Sequence, residues 1–243
     1  MKKGGVLIAS LIFFVCLSVV PLFADANTVA LESVVVESFD GDSSYEWITD
    51  GIKYASKKDY GLFPVYPQAL HRTAADAEGK QAFGLNGQFQ RRGHNWIDIY
   101  PVSKDNPEGG AVEIPLWGFV QYVDVWVWGS NLNYQLEVYL RDYQGMIHRL
   151  EMGSLNFLGW KNLQTAIPPN FPMSERTLPV RSNGSSSFVK FRLWTDPYER
   201  VNNFYLYLDH LKVLSDTFTT RFDGDDLADA EKAQELWAGV NQQ

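Results

Sequence analysis

The stretch Tyr134-Gln135-Leu136-Glu137-Val138-Tyr139-Leu140-Arg141-Asp142-Tyr143-Gln144-Gly145-Met146 decides the fold class. Tyr134, Leu136, Val138 and Leu140 alternate with Gln135, Glu137, Tyr139 and Arg141. Side chains two residues apart share one face of a strand, so one face is apolar and the other wet. Asp142-Tyr143-Gln144-Gly145 then supplies an aspartate that can cap a turn and a glycine for the positive φ of a hairpin. A second strand over 146–152 is expected to pair antiparallel with the first.

Outward from this hairpin, short runs rich in Val, Ile, Tyr, Phe and Trp recur between clusters of Gly, Pro, Asn and Asp. Strands are predicted over 34–39, 96–102, 111–114, 120–128, 134–141, 146–152, 161–166, 188–194 and 204–213, the pattern of an all-β sandwich or barrel. Residues 60–93 and 167–187 read as long surface loops. Within the second, Asn183-Gly184-Ser185 matches a glycosylation acceptor and equally a flexible turn. Helical patterning is confined to the acidic tail, where 227–237 can form one short helix capped by Asp225 or Asp226.

Two strands carry candidate contact residues. In 120–128, Val123, Val125 and Val127 share one face, and Val120, Tyr122, Trp126 and Trp128 are assigned to the other. This reads as a central strand covered on both sides, or as an aromatic binding platform offered by Trp126 and Trp128. In 204–213, Tyr205 and Tyr207 oppose Phe204, Leu206 and Leu208, and are read either as an outward contact pair or as an ordinary cross-strand pair. The parity changes by Leu211, which predicts a bulge near Asp209-His210.

The chain of 243 residues has a formal charge of -8 and 14% aromatic residues. No basic run exceeds two residues, which argues against nucleic acid as a partner. Lys2 and Lys3 precede an apolar run from Val6 to Val20, then Pro21 and Ala24-Asp25-Ala26. That layout predicts a secretory signal peptide over 1–26, cleaved after Ala26, with no membrane anchor after processing. A single β-sandwich domain is expected over 27–243, ending in the tail 227–243. Cys16 is the one cysteine and falls in the leader, so neither disulfides nor thiolate chemistry is expected in the mature chain.

No Gly-x-Ser-x-Gly elbow occurs. His71, His94, His148 and His210 are scattered without zinc-site spacing. Glycoside hydrolysis needs only two nearby carboxylates, but Asp124, Glu137 and Asp209 read as ordinary solvent-facing strand positions. Catalysis is therefore not expected. One repeat stands out: Phe39-Asp40-Gly41-Asp42 is matched by Phe222-Asp223-Gly224-Asp225. Asp40, Asp42, Asp223 and Asp225 form ordinary aspartate turns, or they share a structural calcium, which takes six to eight oxygen ligands. No other cofactor is implied.

Several segments together resemble one family. They are Val123-Asp124-Val125-Trp126-Val127-Trp128-Gly129-Ser130-Asn131, then 140–150, then Gly153-Ser154-Leu155-Asn156-Phe157 with Gly159-Trp160-Lys161-Asn162-Leu163. Phe191-Arg192-Leu193-Trp194-Thr195-Asp196-Pro197 and 203–213 complete the set. The chain resembles the FlaA family, outer-layer sheath proteins of spirochaete periplasmic flagellar filaments. The resemblance implies a jelly-roll-like antiparallel β-sandwich and a periplasmic structural protein without catalytic residues. It further implies a subunit that coats the flagellin core beside other sheath proteins, self-associates in a helical array, and affects filament shape, stiffness and motility. The rival from another class is a periplasmic carbohydrate-binding module. Glycan binding would gather aromatics on one exposed face, whereas a sheath role would spread contacts over opposed surfaces.

Overall fold

A computed structural model describes residues 30–51, 55–90, 93–173, 186–200 and 202–217, with 234, 237 and 238 near the C-terminus. Residues 1–29 with the expected leader, residues 174–185 with the Asn183 motif, and Asp223 and Asp225 lie outside the described residues. Gln234, Trp237 and Ala238 are helical, in the tail where the sequence predicts a helix.

The strands in chain order are β1 (Leu31–Glu37), β2 (Tyr45–Gly51), β3 (Ala55–Phe63), β4 (Ala82–Phe89), β5 (Trp96–Ser103), β6 (Asn106–Ala111) and β7 (Ile114–Pro115). They continue as β8 (Phe119–Ser130), β9 (Gln135–Arg141), β10 (Ile147–Ser154), β11 (Leu158–Ala166), β12 (Ser187–Trp194) and β13 (Phe204–Asp216). One sheet, here sheet A, runs β11-β8-β13-β4-β3, with β1 also paired to β13. The other, sheet B, runs β10-β9-β12-β5-β2, with β6 on β5 and β7 on β12. The pairings are antiparallel throughout. The fold is the all-β, jelly-roll-like sandwich that the sequence implies.

The core lies between the sheets and is built from the alternating apolar positions. Val123, Val125, Val127, Phe204, Leu206 and Leu208 of sheet A meet Ile97, Ile99, Leu136, Val138, Phe191 and Leu193 of sheet B. Each such side chain contributes about 1.5–3 kcal/mol when fully buried. Trp47 packs against Phe39, Phe188 and Phe191. Its indole N–H donates to Glu37 Oε2 at 3.0 Å, and Glu37 Oε1 accepts the Phe39 N–H at 2.9 Å. The buried Glu37 carboxylate is thus satisfied and ties the end of β1 to β2, the arrangement a buried charge requires.

The β9–β10 hairpin forms as expected. Asp142 Oδ1 accepts the N–H groups of Gln144 and Met146, both at 2.9 Å, and Gly145 has φ 87°. Asp142 Oδ2 lies 2.6 Å from His148 Nε2. Burial works to raise the Asp142 carboxyl, but the bonds from His148, Met146 and Gln144 outweigh it and hold it below the ordinary range. The bulge in β13 also forms, with a register shift between Asp209 and Lys212 and φ 51° at His210.

Four expectations are corrected. Residues 60–93 are not one loop: they contain the end of β3 and all of β4, whose inward Phe83, Leu85 and Phe89 are core. Gly84, Asn86 and Gly87 hide this strand from propensity. The strand expected over 111–114 splits into β6 and β7, and β2 was not anticipated. Val120 is buried in the core and not on the outer face with Trp126, because β8 slips one residue near Gln121, where its register with β13 shifts. In 167–187, Phe171 and Met173 are buried, so the described start of that segment packs on the core.

Candidate functional site: two outer sheet faces

The outer face of sheet A gathers the four contact candidates. Trp160 pairs with Trp128, Trp128 with Tyr207, and Tyr207 with Gly84 across four adjacent strands. The Trp128 and Tyr207 rings meet edge-on at 5.7 Å, Trp160 lies 6.4 Å from Tyr207, and Phe63 meets Tyr207 edge-on at 6.0 Å. Gly84 makes this possible, since a Cβ there would stand 2.5 Å from Phe63 and 2.8 Å from Tyr207. Trp126 and Trp128 are half-buried, while Tyr205 stays 42% exposed and Leu158, at the start of β11, 76% exposed. The result is an aromatic strip across the sheet with apolar side chains open to solvent beside it.

Three carboxylates expected to face solvent are covered. Asp124 and Asp209 are buried beside this strip, and Glu137 is buried on sheet B. Asp124 lies 3.6 Å from Lys212. Burial raises the Asp124 carboxyl, against Asn162 and Lys212, which lower it. Burial, then the charge of Asp40, pushes Asp209 up to about 7, against the His210 N–H and Lys80. Asp40 itself pairs with Lys80 at 2.6 Å and accepts the Gln81 N–H at 3.0 Å. Asp42 accepts the Ser38 hydroxyl at 3.0 Å. Among the described residues no group of three or more metal-ligating side chains occurs.

The Asp209 carboxyl holds its proton more tightly folded than unfolded, so its contribution falls as pH rises from about 4 to about 7. The full penalty above pH 7 is on the order of 4 kcal/mol. Asp124 acts in the same direction. His210, lowered by burial, acts oppositely near its ordinary pKa. Asp209→Asn is therefore expected to gain more stability relative to the unmodified protein at pH 8 than at pH 5, where less than half of the penalty is present. Urea unfolding at the two pH values measures the difference.

Sheet B presents a different outer face. Arg192 pairs across the sheet with Asp98 on one side and Glu137 on the other. Its Nε and Nη2 donate to Asp98 at 2.6 and 2.9 Å, and Lys190 donates to the same carboxylate at 2.7 Å. The guanidinium lies over Trp96 at 4.1 Å, with Tyr139 and Trp194 at 5.2 and 5.5 Å. Glu137 accepts the Trp194 indole N–H at 2.8 Å, the Tyr139 hydroxyl at 3.0 Å and Arg149 at 3.2 Å. Sequence reading missed this face because its members come from four strands, β5, the β9–β10 hairpin and β12, spread over about a hundred residues of chain. The period-2 positions Trp96-Asp98-Tyr100 and Lys190-Arg192-Trp194 were the available signal.

A third surface lies at the edge of the sandwich. An apolar recess of about 330 Å³ opens between β1 and β7, lined by Val34, Val36, Tyr45, Pro115, Trp117 and Val213 among others. Among the described residues β1 pairs on one side only.

Comparison with known proteins places the chain. In solved structures it is similar to a carbohydrate-binding module in complex with beta-1,4-galactotriose, at 13% identity and a TM-score of 0.41, over 74% of this chain and 94% of that one. It is also similar to the family 11 carbohydrate-binding module of a Clostridium thermocellum cellulase, at 8% identity and 0.39, over 80% and 99%. By sequence it is 25% identical over 203 residues to a flagellar filament outer layer-like protein of Brachyspira hyodysenteriae, covering 82% of this chain and 86% of that one. It is 30% identical over 111 residues to a flagellar filament outer layer protein of Borreliella burgdorferi, covering 42% and 32%. The model of flagellar filament outer layer protein FlaA matches residues 26–223. The chain belongs to the FlaA family of flagellar filament outer layer proteins.

Proposed function

We propose that this chain is a non-catalytic subunit of the outer layer of a periplasmic flagellar filament, coating the flagellin core and affecting filament shape, stiffness and motility. The observation that carries this reading is the outer face of sheet A, with its strip of Trp128, Trp160, Tyr207 and Phe63 flanked by exposed Tyr205 and Leu158. Aromatic side chains of this kind dominate protein contacts, because they bury large area with little loss of rotamer freedom. A layer subunit must meet both a core and neighbours, and the sheet A face offers the broad aromatic surface for the first of these. The recess and the one-sided β1 offer a lateral contact for another sheath subunit, since an unpaired strand edge templates association. Export to the periplasm follows from reading residues 1–26 as a signal peptide, with Lys2 and Lys3 ahead of the apolar run Val6 to Val20.

Leu158→Glu with Tyr205→Glu tests the face. Both side chains are exposed, so the urea midpoint is expected to stay within experimental error. Co-sedimentation with isolated flagellar core filaments is expected to fall more than tenfold. Unchanged co-sedimentation would remove sheet A as the filament contact.

A further inference from the structure

The two outer faces differ in kind. The exposed large apolar side chains fall on sheet A, at the ends of the sandwich, at the Met146-Ile147 hairpin, on the Tyr198 turn or at Trp237, and none lies on the central strands β5, β9 and β12 of sheet B. The centre of sheet B is instead a charged row bordered by rings. Glu151, Glu137, Arg192, Asp98 and Asp50 follow one another across five strands. Trp194 and Trp96 pair on one side of this row, and Tyr139 and Tyr100 lie on the other, all four rings half-exposed.

From this arrangement we infer that the outer face of sheet B is a binding site for a neutral glycan chain. Asp98 and Glu137 are both more than nine-tenths buried and fixed by Arg192, Lys190, Arg149, Trp194 and Tyr139 before any ligand arrives. A charged ligand would have to break one of these pairs. A hydroxyl group, which both donates and accepts, adds to them. A guanidinium carries five N–H groups and an ammonium three. Asp98 takes two from Arg192 and one from Lys190, which leaves donor capacity on the two Nη atoms of Arg192 and on Lys190 Nζ. The bordering rings supply apolar surface for the C–H faces of sugar rings, the pairing of flat apolar walls with a few fixed polar groups that small-ligand sites use. Trp96 and Tyr100 are four residues apart on one strand, about 13 Å, a span of two to three linked sugar rings. A protein partner would need the exposed apolar surface that this face lacks and sheet A has.

The inference does not depend on the sheath reading, and the test separates them. The full mature chain is run in native gels containing soluble neutral polysaccharides (xylan, β-glucan and galactan), with pelleting on isolated peptidoglycan sacculi, whose stem peptides carry carboxylates, as the charged-ligand control. Retardation is expected with at least one of the neutral polysaccharides. It is expected to weaken at least tenfold in Tyr100→Ala and Trp194→Ala and to recover in Trp194→Phe, which keeps a ring. The filament-contact variant Leu158→Glu/Tyr205→Glu is expected to bind glycan normally. No retardation of the unmodified chain by any of the three polysaccharides, binding to sacculi alone, binding indifferent to the sheet B variants, or binding lost only in the sheet A variant would each overturn the inference. Filament association unaffected by the sheet B variants bears on the sheath reading alone.

Discussion

Gly87→Val is expected to leave the domain unable to fold at ordinary temperature. Gly87 pairs with Phe204 in the centre of sheet A. A Cβ on it would lie 2.1 Å from Phe204 Cζ and 2.4 Å from Cε1. The Phe204 ring cannot swing away, because Tyr134 stands 5.3 Å from it edge-on and Phe89 6.3 Å, all three rings fully buried. Overpacking a tight core costs about 1–3 kcal/mol per added methylene or two, occasionally more. A branched side chain at this position therefore removes a large part of the roughly 5–15 kcal/mol by which a domain is stable. Soluble yield and the urea midpoint measure it. Gly87→Ala should retain folding with a stability loss of about 3 kcal/mol, near the top of that range. A valine variant with an unchanged midpoint would mean that the Phe204 packing is not as described.

Arg192→Ala is the second large effect, expected at about 3 kcal/mol, the lower end of the cost of stripping one partner from a buried ion pair. Asp98 is buried and loses its bidentate partner while Lys190 remains. The Trp96 ring loses the guanidinium stacked on it. Arg192→Lys should recover only part of the loss, since an ammonium cannot reproduce the planar fork. Replacing both partners, Arg192→Met with Asp98→Leu, should cost less than Arg192→Ala alone, because no uncompensated carboxylate is left. A double variant that loses the full sum of the single losses would show that the two side chains do not act as a pair.

The strands legible in the sequence were those whose alternation is unbroken. β9 and its turn announce themselves because each inward residue is large and each turn residue has one job, whereas β12 is legible only in part, since a bulge between Phe188 and Lys190 turns Phe188 and not Val189 into the core. β4 was hidden by the feature that makes it work, since glycines at 84 and 87 lower strand propensity while admitting Phe63, Tyr207 and Phe204 from neighbouring strands. Val120 was assigned to the wrong face because a slip of one residue reverses side-chain direction without leaving a mark in composition. Trp126, Trp128, Tyr205 and Tyr207 could be picked out as outward-facing, but their union with Trp160 and Phe63 depends on strand order, which periodicity does not contain. Asp124, Glu137 and Asp209 were misjudged for a related reason. An outward position on a strand is wet only when its neighbours are short, and here they are long or aromatic.

The central claim is that this protein forms part of the filament's outer layer. Immunogold labelling of isolated periplasmic flagella with antibody against the mature chain, beside a deletion strain, tests it most directly. The expected result is regular label along the filament, with thinner or straighter filaments in the deletion. Label in the periplasm but absent from filaments, with filament form unchanged by the deletion, would contradict it.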